Sequence, residues 1–277
     1  MPAKPTMLEI FERNEGRLIH KWMHYFEIYE RHFAPFRGEA PRVLEIGVSH
    51  GGSLDMLREW FGRGTSIVGV DIDPRIVDLR RRNVHLEVGD QGDVDFLAGV
   101  VERHGPFDIV IDDGSHRPRH QIASLETLWP TMAPPSVYLV EDTHANYWAE
   151  YEGAPGDAST FIEYAKRLAD DLHAFHSQTP GFEPTDWTRT LGGLHFYDSI
   201  VVLDRVDREP PYHRKSGRPV FGTLYAKDVA ANLDEEHLAA MASMNRPSHR
   251  LWRLVRHPIM TWENRQQRRR TARRTTG

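Results

Sequence analysis

The chain has no cysteine in its 277 residues. Disulfides, thiolate nucleophiles and cysteine-ligated zinc or iron–sulfur centres are therefore excluded, and any metal must rest on Asp, Glu, His or backbone oxygen. Long apolar runs are missing too. None approaches the ~20 residues that span a bilayer, and the first nine residues lack the apolar stretch of a secretory signal. A cytoplasmic, soluble protein with no membrane span is the expectation. Outside the C-terminus basic residues are outnumbered by acidic ones, 29 to 40. The formal net charge is −5, but residues 265–277 carry six arginines and no acid, so the remainder stands at −11. An acidic body repels phosphate backbones, which argues against a nucleic-acid partner; the tail reads as a solvated, disordered end.

With 39% hydrophobic and 27% charged residues, the composition is that of a globular chain. Residues 16–33 space their apolar side chains as a helix. From residue 42 the texture changes to short Val/Ile/Leu runs at 43–48, 66–71, 84–88, 107–112 and 137–142, separated by stretches long enough for crossover helices. Continuous apolar strands fit a parallel sheet covered on both faces, so an α/β doubly wound, Rossmann-like sheet is expected. Residues 193–198 and 199–204 read as a C-terminal antiparallel hairpin, and 177–189 as a loop or lid. The expected organisation is an N-terminal helical cap (1–40), a cofactor domain (41–205), an irregular and helical appendage (206–264) and the basic tail (265–277).

The first strand runs into Leu44-Glu-Ile-Gly-Val-Ser-His-Gly-Gly. The dinucleotide signature would be G-x-G-x-x-G; here the glycines are spaced differently and a carboxylate, Glu45, stands two residues before Gly47. An acid there repels pyrophosphate but suits a ligand carrying an amino group and a sulfonium, which favours S-adenosylmethionine over NAD. Glu45, Gly47, Ser49 and Gly51 at the turn, Asp71 at the second strand end, where an acid reaches ribose hydroxyls, and Asp90 and Gln91 after the third form a spaced cofactor-binding set. Asp112 is counted with them, as a further participant or a helix-capping acid. A merely tight turn and carboxylates acting as N-caps are the structural alternatives.

The fourth strand ends in Asp112-Asp-Gly-Ser-His and the fifth in Glu141-Asp-Thr-His. Both ends fall on one sheet edge, and carboxylates crowded there need a cation or a proton. Asp113, Glu141 and Asp142 are the expected ligands of Mg²⁺ or another hard divalent ion, and His116 is the expected general base for a hydroxyl. Lys21, His24 and Tyr25, taken as one helical turn closing over the site, and His144, Tyr147 and Trp148 after the fifth strand are candidate contacts for a sugar-like acceptor, with core packing as the alternative. His195 and Tyr197 alternate on a strand and read as packing.

Leu44-Glu-Ile-Gly, Asp71-Ile-Asp-Pro, Asp112-Asp-Gly-Ser-His, Val140-Glu-Asp-Thr and His195-Phe-Tyr-Asp-Ser together resemble the metal-dependent sugar O-methyltransferases of antibiotic biosynthesis, with relatives among rhamnosyl O-methyltransferases and cephalosporin-hydroxylase-like proteins. The likeness spans roughly residues 16–205. It implies the class I methyltransferase fold, S-adenosylmethionine and Mg²⁺ as cofactors, a hydroxylated, glycosidic small molecule as acceptor, and a homo-oligomer. It also implies metal ligation by Asp113, Glu141 and Asp142 with His116 as base. Lys21-Trp-Met-His24-Tyr25 is similar to a family element near the active site, though His20 stands before the lysine where an acid is expected. Two other readings of the residues are an NAD(P)-linked oxidoreductase and a non-catalytic methyltransferase-like binding subunit.

Overall fold

The computed structural model describes residues 4–217; the expected helical appendage and basic tail fall almost wholly outside them. The chain divides into one unit through Pro210 and a second from Pro211, and the elements below all belong to the first. Seven strands form one sheet in the order β3-β2-β1-β4-β5-β7-β6. Strands β1 (Arg42–Ile46), β2 (Ser66–Asp71), β3 (Val84–Val88), β4 (Ile109–Asp112) and β5 (Ser136–Val140) run parallel. Strands β6 (Leu191–Phe196) and β7 (Val201–Arg205) close the far edge, with β7 antiparallel to both β5 and β6. The parallel sheet with its terminal hairpin is the expected one, because strands buried on both faces show as unbroken apolar runs.

Two apolar layers sandwich this sheet. On one face lie side chains of α1 (Met7–Glu12), α2 (Tyr25–Phe33) and α3 (Gly52–Phe61), among them Phe26, Phe33, Leu54 and Phe61. On the other lie those of α4 (Val94–His104), α5 (Pro118–Leu128) and α6 (Phe161–His173), among them Leu97, Leu125 and Phe161. A five-residue helix, α7 (Asp186–Thr190), sits inside the segment expected to be a loop, capped by Thr185.

Two helical expectations fail. The segment 16–33 is helical only from Tyr25. Before it, the Arg17 and Leu18 carbonyls pack against Gly52 at the start of α3 and Lys21 reaches into the sheet edge, so this stretch is an extended strap. The crossover at 75–82 is a short 3₁₀ stretch, Pro74–Leu79, started by Asp73 accepting from the Arg75 amide. Only Ile76 and Leu79 reach the core while Val77 is exposed, a narrow apolar face where an α-helix draws most of its stability from tertiary packing. Among the described residues no helix is long and apolar enough to cross a membrane.

Candidate active site

The parallel ladder sets the register of the carboxyl edge. Asp112 pairs with Ile46 on β1 and Val140 on β5, so Asp113 and Glu141 emerge side by side at neighbouring tips. The turn after β1 approaches β4 so closely that a Cβ on Gly47 would lie 1.9 Å from the Asp113 carbonyl oxygen, and Gly47 takes φ +92°. Only glycine fits both conditions. Asp71 holds this turn from the side: one carboxylate oxygen accepts from the amides of Val48 and Ser49 at 2.9 and 2.8 Å, and the other from Asp73 at 2.9 Å. Gly51, also at positive φ, caps α3.

Glu45 is buried, with Oε2 lacking a hydrogen-bond partner. Burial pushes its carboxyl up to about 7, against the opposing pull of Lys21 and a hydrogen bond from Ser53. An orphaned buried acceptor at a glycine turn fits a cofactor amino group. Asp90 is exposed and caps the turn at the Gly92 amide. Asp112 and Gln91 depart from expectation. Asp112 is fully buried and accepts from Gln91 Nε2 at 2.6 Å, Ser124 Oγ at 2.6 Å and Tyr138 at 3.3 Å. Gln91 Oε1 accepts the Ser115 amide at 2.9 Å. Successive strand residues point to opposite faces, so Asp112 turns into the sheet–helix layer where Asp113 turns out. Both side chains fasten β4 to α5, and neither presents a free polar face to a ligand.

Asp113, His116 and Asp142 each offer a ligand atom within 4.8 Å of the other two. His116 Nε2 stands 3.7 Å from Asp142 Oδ2, while His116 Nδ1 is buried without a partner. The two side chains converge because their backbones are unusual: His116 and Asp142 adopt φ +57° and +51°, the left-handed region that costs a non-glycine residue energy and is concentrated at functional sites. Asp142 Oδ1 accepts from the Tyr25 hydroxyl at 2.5 Å.

Glu141 stands behind this group. Its Oε1 accepts from Tyr29 and its Oε2 from Lys21, both at 2.7 Å. The Lys21 ammonium also donates to Asp113 Oδ2 at 2.5 Å, bridging two of the three carboxylates expected to hold a metal. Burial works to lower the Lys21 pKa, but Asp113 and Glu141 outweigh it and hold the ammonium charged. Glu141 is displaced upward, by burial and by the neighbouring Asp113. Tyr29, absent from the sequence-based set, was signalled only by its i+4 spacing from Tyr25.

A line of aromatic rings leads outward from His116. His116 faces Tyr151 and Tyr151 faces Trp148, each at 6.1 Å between centroids; Trp148 meets His144 at 4.7 Å, and His144 meets Trp22 edge-on at 6.0 Å. Trp22, Tyr147 and Trp148 are about half exposed. His144 Nδ1 pairs with Ser199 Oγ, and His24 with the Asp198 carbonyl. Beside them lies a cavity of about 410 Å³ lined by residues including His144, Tyr147, Phe196 and Asp198. Of the expected substrate residues, His144 and Tyr147 line this cavity and Trp148 packs against His144, whereas Tyr25 is buried against Asp142 and Lys21 points inward to the carboxylates from a strap that is not helical.

Residues 44–143 match the model of a methyltransferase domain family. An 8-demethyl-8-alpha-L-rhamnosyl tetracenomycin-C 2'-O-methyltransferase of Streptomyces olivaceus is 40% identical over 194 residues, which is 65% of this chain and 50% of that protein. A mycinamicin VI 2''-O-methyltransferase of Micromonospora griseorubida is 38% identical over 198 residues, 66% of this chain and 49% of that one. Among solved structures, the MycE methyltransferase of the mycinamycin biosynthetic pathway, in complex with Mg and SAH, superposes with a TM-score of 0.69 at 31% identity, covering 83% of this chain and 60% of its own. The chain spans about half the length of the curated relatives it matches.

Proposed function

We propose that this chain, which carries a methyltransferase domain over residues 44–143 on a class I methyltransferase fold, transfers a methyl group from S-adenosylmethionine to a sugar hydroxyl of a glycosylated natural product. The observation that carries the reading is the convergence of Asp113, His116 and Asp142 on one point at the strand edge beside the Gly47 turn. Asp113 and Asp142, with Glu141 adding its charge behind them, would hold a hard divalent cation, as such donors prefer. Bound there, the cation would acidify and orient the acceptor hydroxyl, and S-adenosylmethionine would supply the methyl group. The resident side chains do the rest. His116 accepts the hydroxyl proton at Nε2, the nitrogen that faces Asp142. Glu45 pairs with the cofactor amino group, and Asp71 holds the turn on which the cofactor lies. Trp22, His144 and Trp148 give a sugar ring faces to stack on and, through the imidazole, a hydrogen-bonding edge. The relatives' rhamnosyl and macrolide-sugar acceptors define the compounds to try.

Calorimetry with S-adenosylmethionine, in Mg²⁺ and in EDTA, followed by methyl transfer to rhamnosylated tetracenomycin and to mycinamicin VI, tests this. Turnover abolished by EDTA and by Asp113→Ala is the expected result. Cofactor binding without turnover on any glycoside would refute the catalytic reading, and NADH binding in place of S-adenosylmethionine would refute the cofactor.

A further inference from the structure

A second group of metal-binding side chains lies away from the carboxylate tips. His32 in the last turn of α2, His195 on β6 and Asp204 on β7 each bring a ligand atom within 4.8 Å of the other two. The hairpin register explains the pairing. Gly193 lies opposite Asp204 and His195 opposite Val202, so His195 and Asp204 are diagonal neighbours on one face, and α2 lays His32 over them. His195 Nε2 stands 2.7 Å from Asp204 Oδ2, and His32 Nδ1 3.5 Å from Asp204 Oδ1. The imidazole centroids are 4.7 Å apart. Two ring nitrogens thus flank one carboxylate.

Two further features mark this as a built arrangement. His32 Nε2, the nitrogen turned away from Asp204, lies 2.9 Å from the Tyr197 hydroxyl. A partner on the far nitrogen is what fixes tautomer and ring orientation in a metal-ligating histidine. The strand also leaves the space clear: a Cβ on Gly193 would stand 2.9 Å from both Asp204 Oδ2 and His195 Nε2, and the ladder shifts register between Leu191 and Gly193. His32 and Asp204 line a cavity of about 550 Å³, which gives solvent or a small anion access to a fourth position.

We propose that His32, His195 and Asp204 bind a Zn²⁺-class divalent cation at a site separate from the Asp113 cluster. Two imidazoles and one carboxylate are a borderline donor set that suits zinc, with water in the remaining position; Mg²⁺ prefers oxygen throughout. The site has a consequence for the catalytic edge. Tyr25, Tyr29 and His32 follow i, i+4, i+7 spacing, so they share one face of α2. A cation on His32 pins that helix to the hairpin and thereby positions the two hydroxyls that hold Asp142 and Glu141.

The test uses the full chain stripped of metal and then given zinc chloride alone, in both the wild type and Asp113→Asn. Expected is one tightly retained zinc equivalent that survives Asp113→Asn, and a Co²⁺-substituted form with the visible absorption of a four-coordinate site. His195→Ala and Asp204→Asn should lose the equivalent, and Tyr197→Phe should weaken it roughly 10- to 100-fold. Absence of the cobalt bands in the wild type would overturn the site without recourse to any variant. Zinc affinity unchanged in His195→Ala, or lost in Asp113→Asn, would also overturn it.

Discussion

Replacing Lys21 with methionine removes the ammonium that bridges Asp113 and Glu141 while keeping most of the side-chain volume. Its contacts are 2.5 and 2.7 Å, and the Lys21 and Glu141 side chains are 5% and 1% exposed. Breaking a buried ion pair by deleting one partner costs about 3–5 kcal/mol, because the remaining charge is left uncompensated. For a unit of about 200 residues each kcal/mol lowers Tm by about 2–4 °C, so the variant should melt roughly 6–20 °C below the wild type in EDTA. A divalent cation held by Asp113 and Asp142 would replace the missing charge. Saturation at about 100 times Kd returns about 2.7 kcal/mol, so Mg²⁺ should restore much of the loss in Lys21→Met. In the wild type the ammonium competes for Asp113, and Mg²⁺ should raise Tm less. Differential scanning calorimetry with EDTA and with MgCl₂ on both proteins reads all four values. A variant melting within about 2 °C of the wild type, or equal Mg²⁺ stabilisation of both proteins, would refute the reasoning.

Glu45 titrates near 7 because it is buried, and a cofactor amino group needs its ionised form. S-adenosylmethionine affinity should therefore fall by roughly tenfold per pH unit below 7, and calorimetry on Glu45→Gln should show a flat profile. The sign for stability is opposite: a raised folded-state pKa favours folding fully below the unfolded value and loses that contribution as pH rises through about 7. Asp112→Ala leaves a Gln91 Nε2 hydrogen without its buried acceptor, while Ser124 Oγ keeps the His120 carbonyl at 2.8 Å. At about 1–3 kcal/mol for the one unsatisfied group, chemical denaturation should register a loss of about 1–3 kcal/mol, with cofactor Kd within about twofold; a large Kd change would return Asp112 to the cofactor site. Trp148→Ala, which breaks the line of rings between Tyr151 and His144, should raise acceptor KM by roughly tenfold, about 1.4 kcal/mol and within the range of one aromatic contact, and leave cofactor Kd unchanged in steady-state and titration assays.

The sheet was legible because β1, β2, β4 and β5 each carry adjacent Val, Ile or Leu residues and are buried at nearly every position, as strands covered on both faces are. The strap before α2 was not. Leu18, Ile19 and Trp22 mimic helical spacing, yet Leu18 and Trp22 are more than half exposed, and what holds the segment is the reach of Lys21 to acids 92 and 120 positions away. No local pattern encodes that. Within the site, the period-2 rule was available and would have sorted Asp112 from Asp113, since adjacent strand residues cannot share a face.

The same rule fails one residue further on, and that failure builds the site. Continued alternation past β5 would send Asp142 to the face opposite Glu141, away from Asp113. Instead Asp142 and His116 each turn through the left-handed region and bring a carboxylate and an imidazole back onto the point that Asp113 faces. Each such turn costs about 1–3 kcal/mol. At Asp142 the cost is offset where it arises, by the Tyr25 hydroxyl on Oδ1 and by the Thr143 and Ala145 amides, which carry the following turn to the Ser199 and Asp142 carbonyls. The chemistry-bearing residue types are thus readable from the strand ends, whereas their convergence depends on two backbone angles that side-chain pattern does not encode.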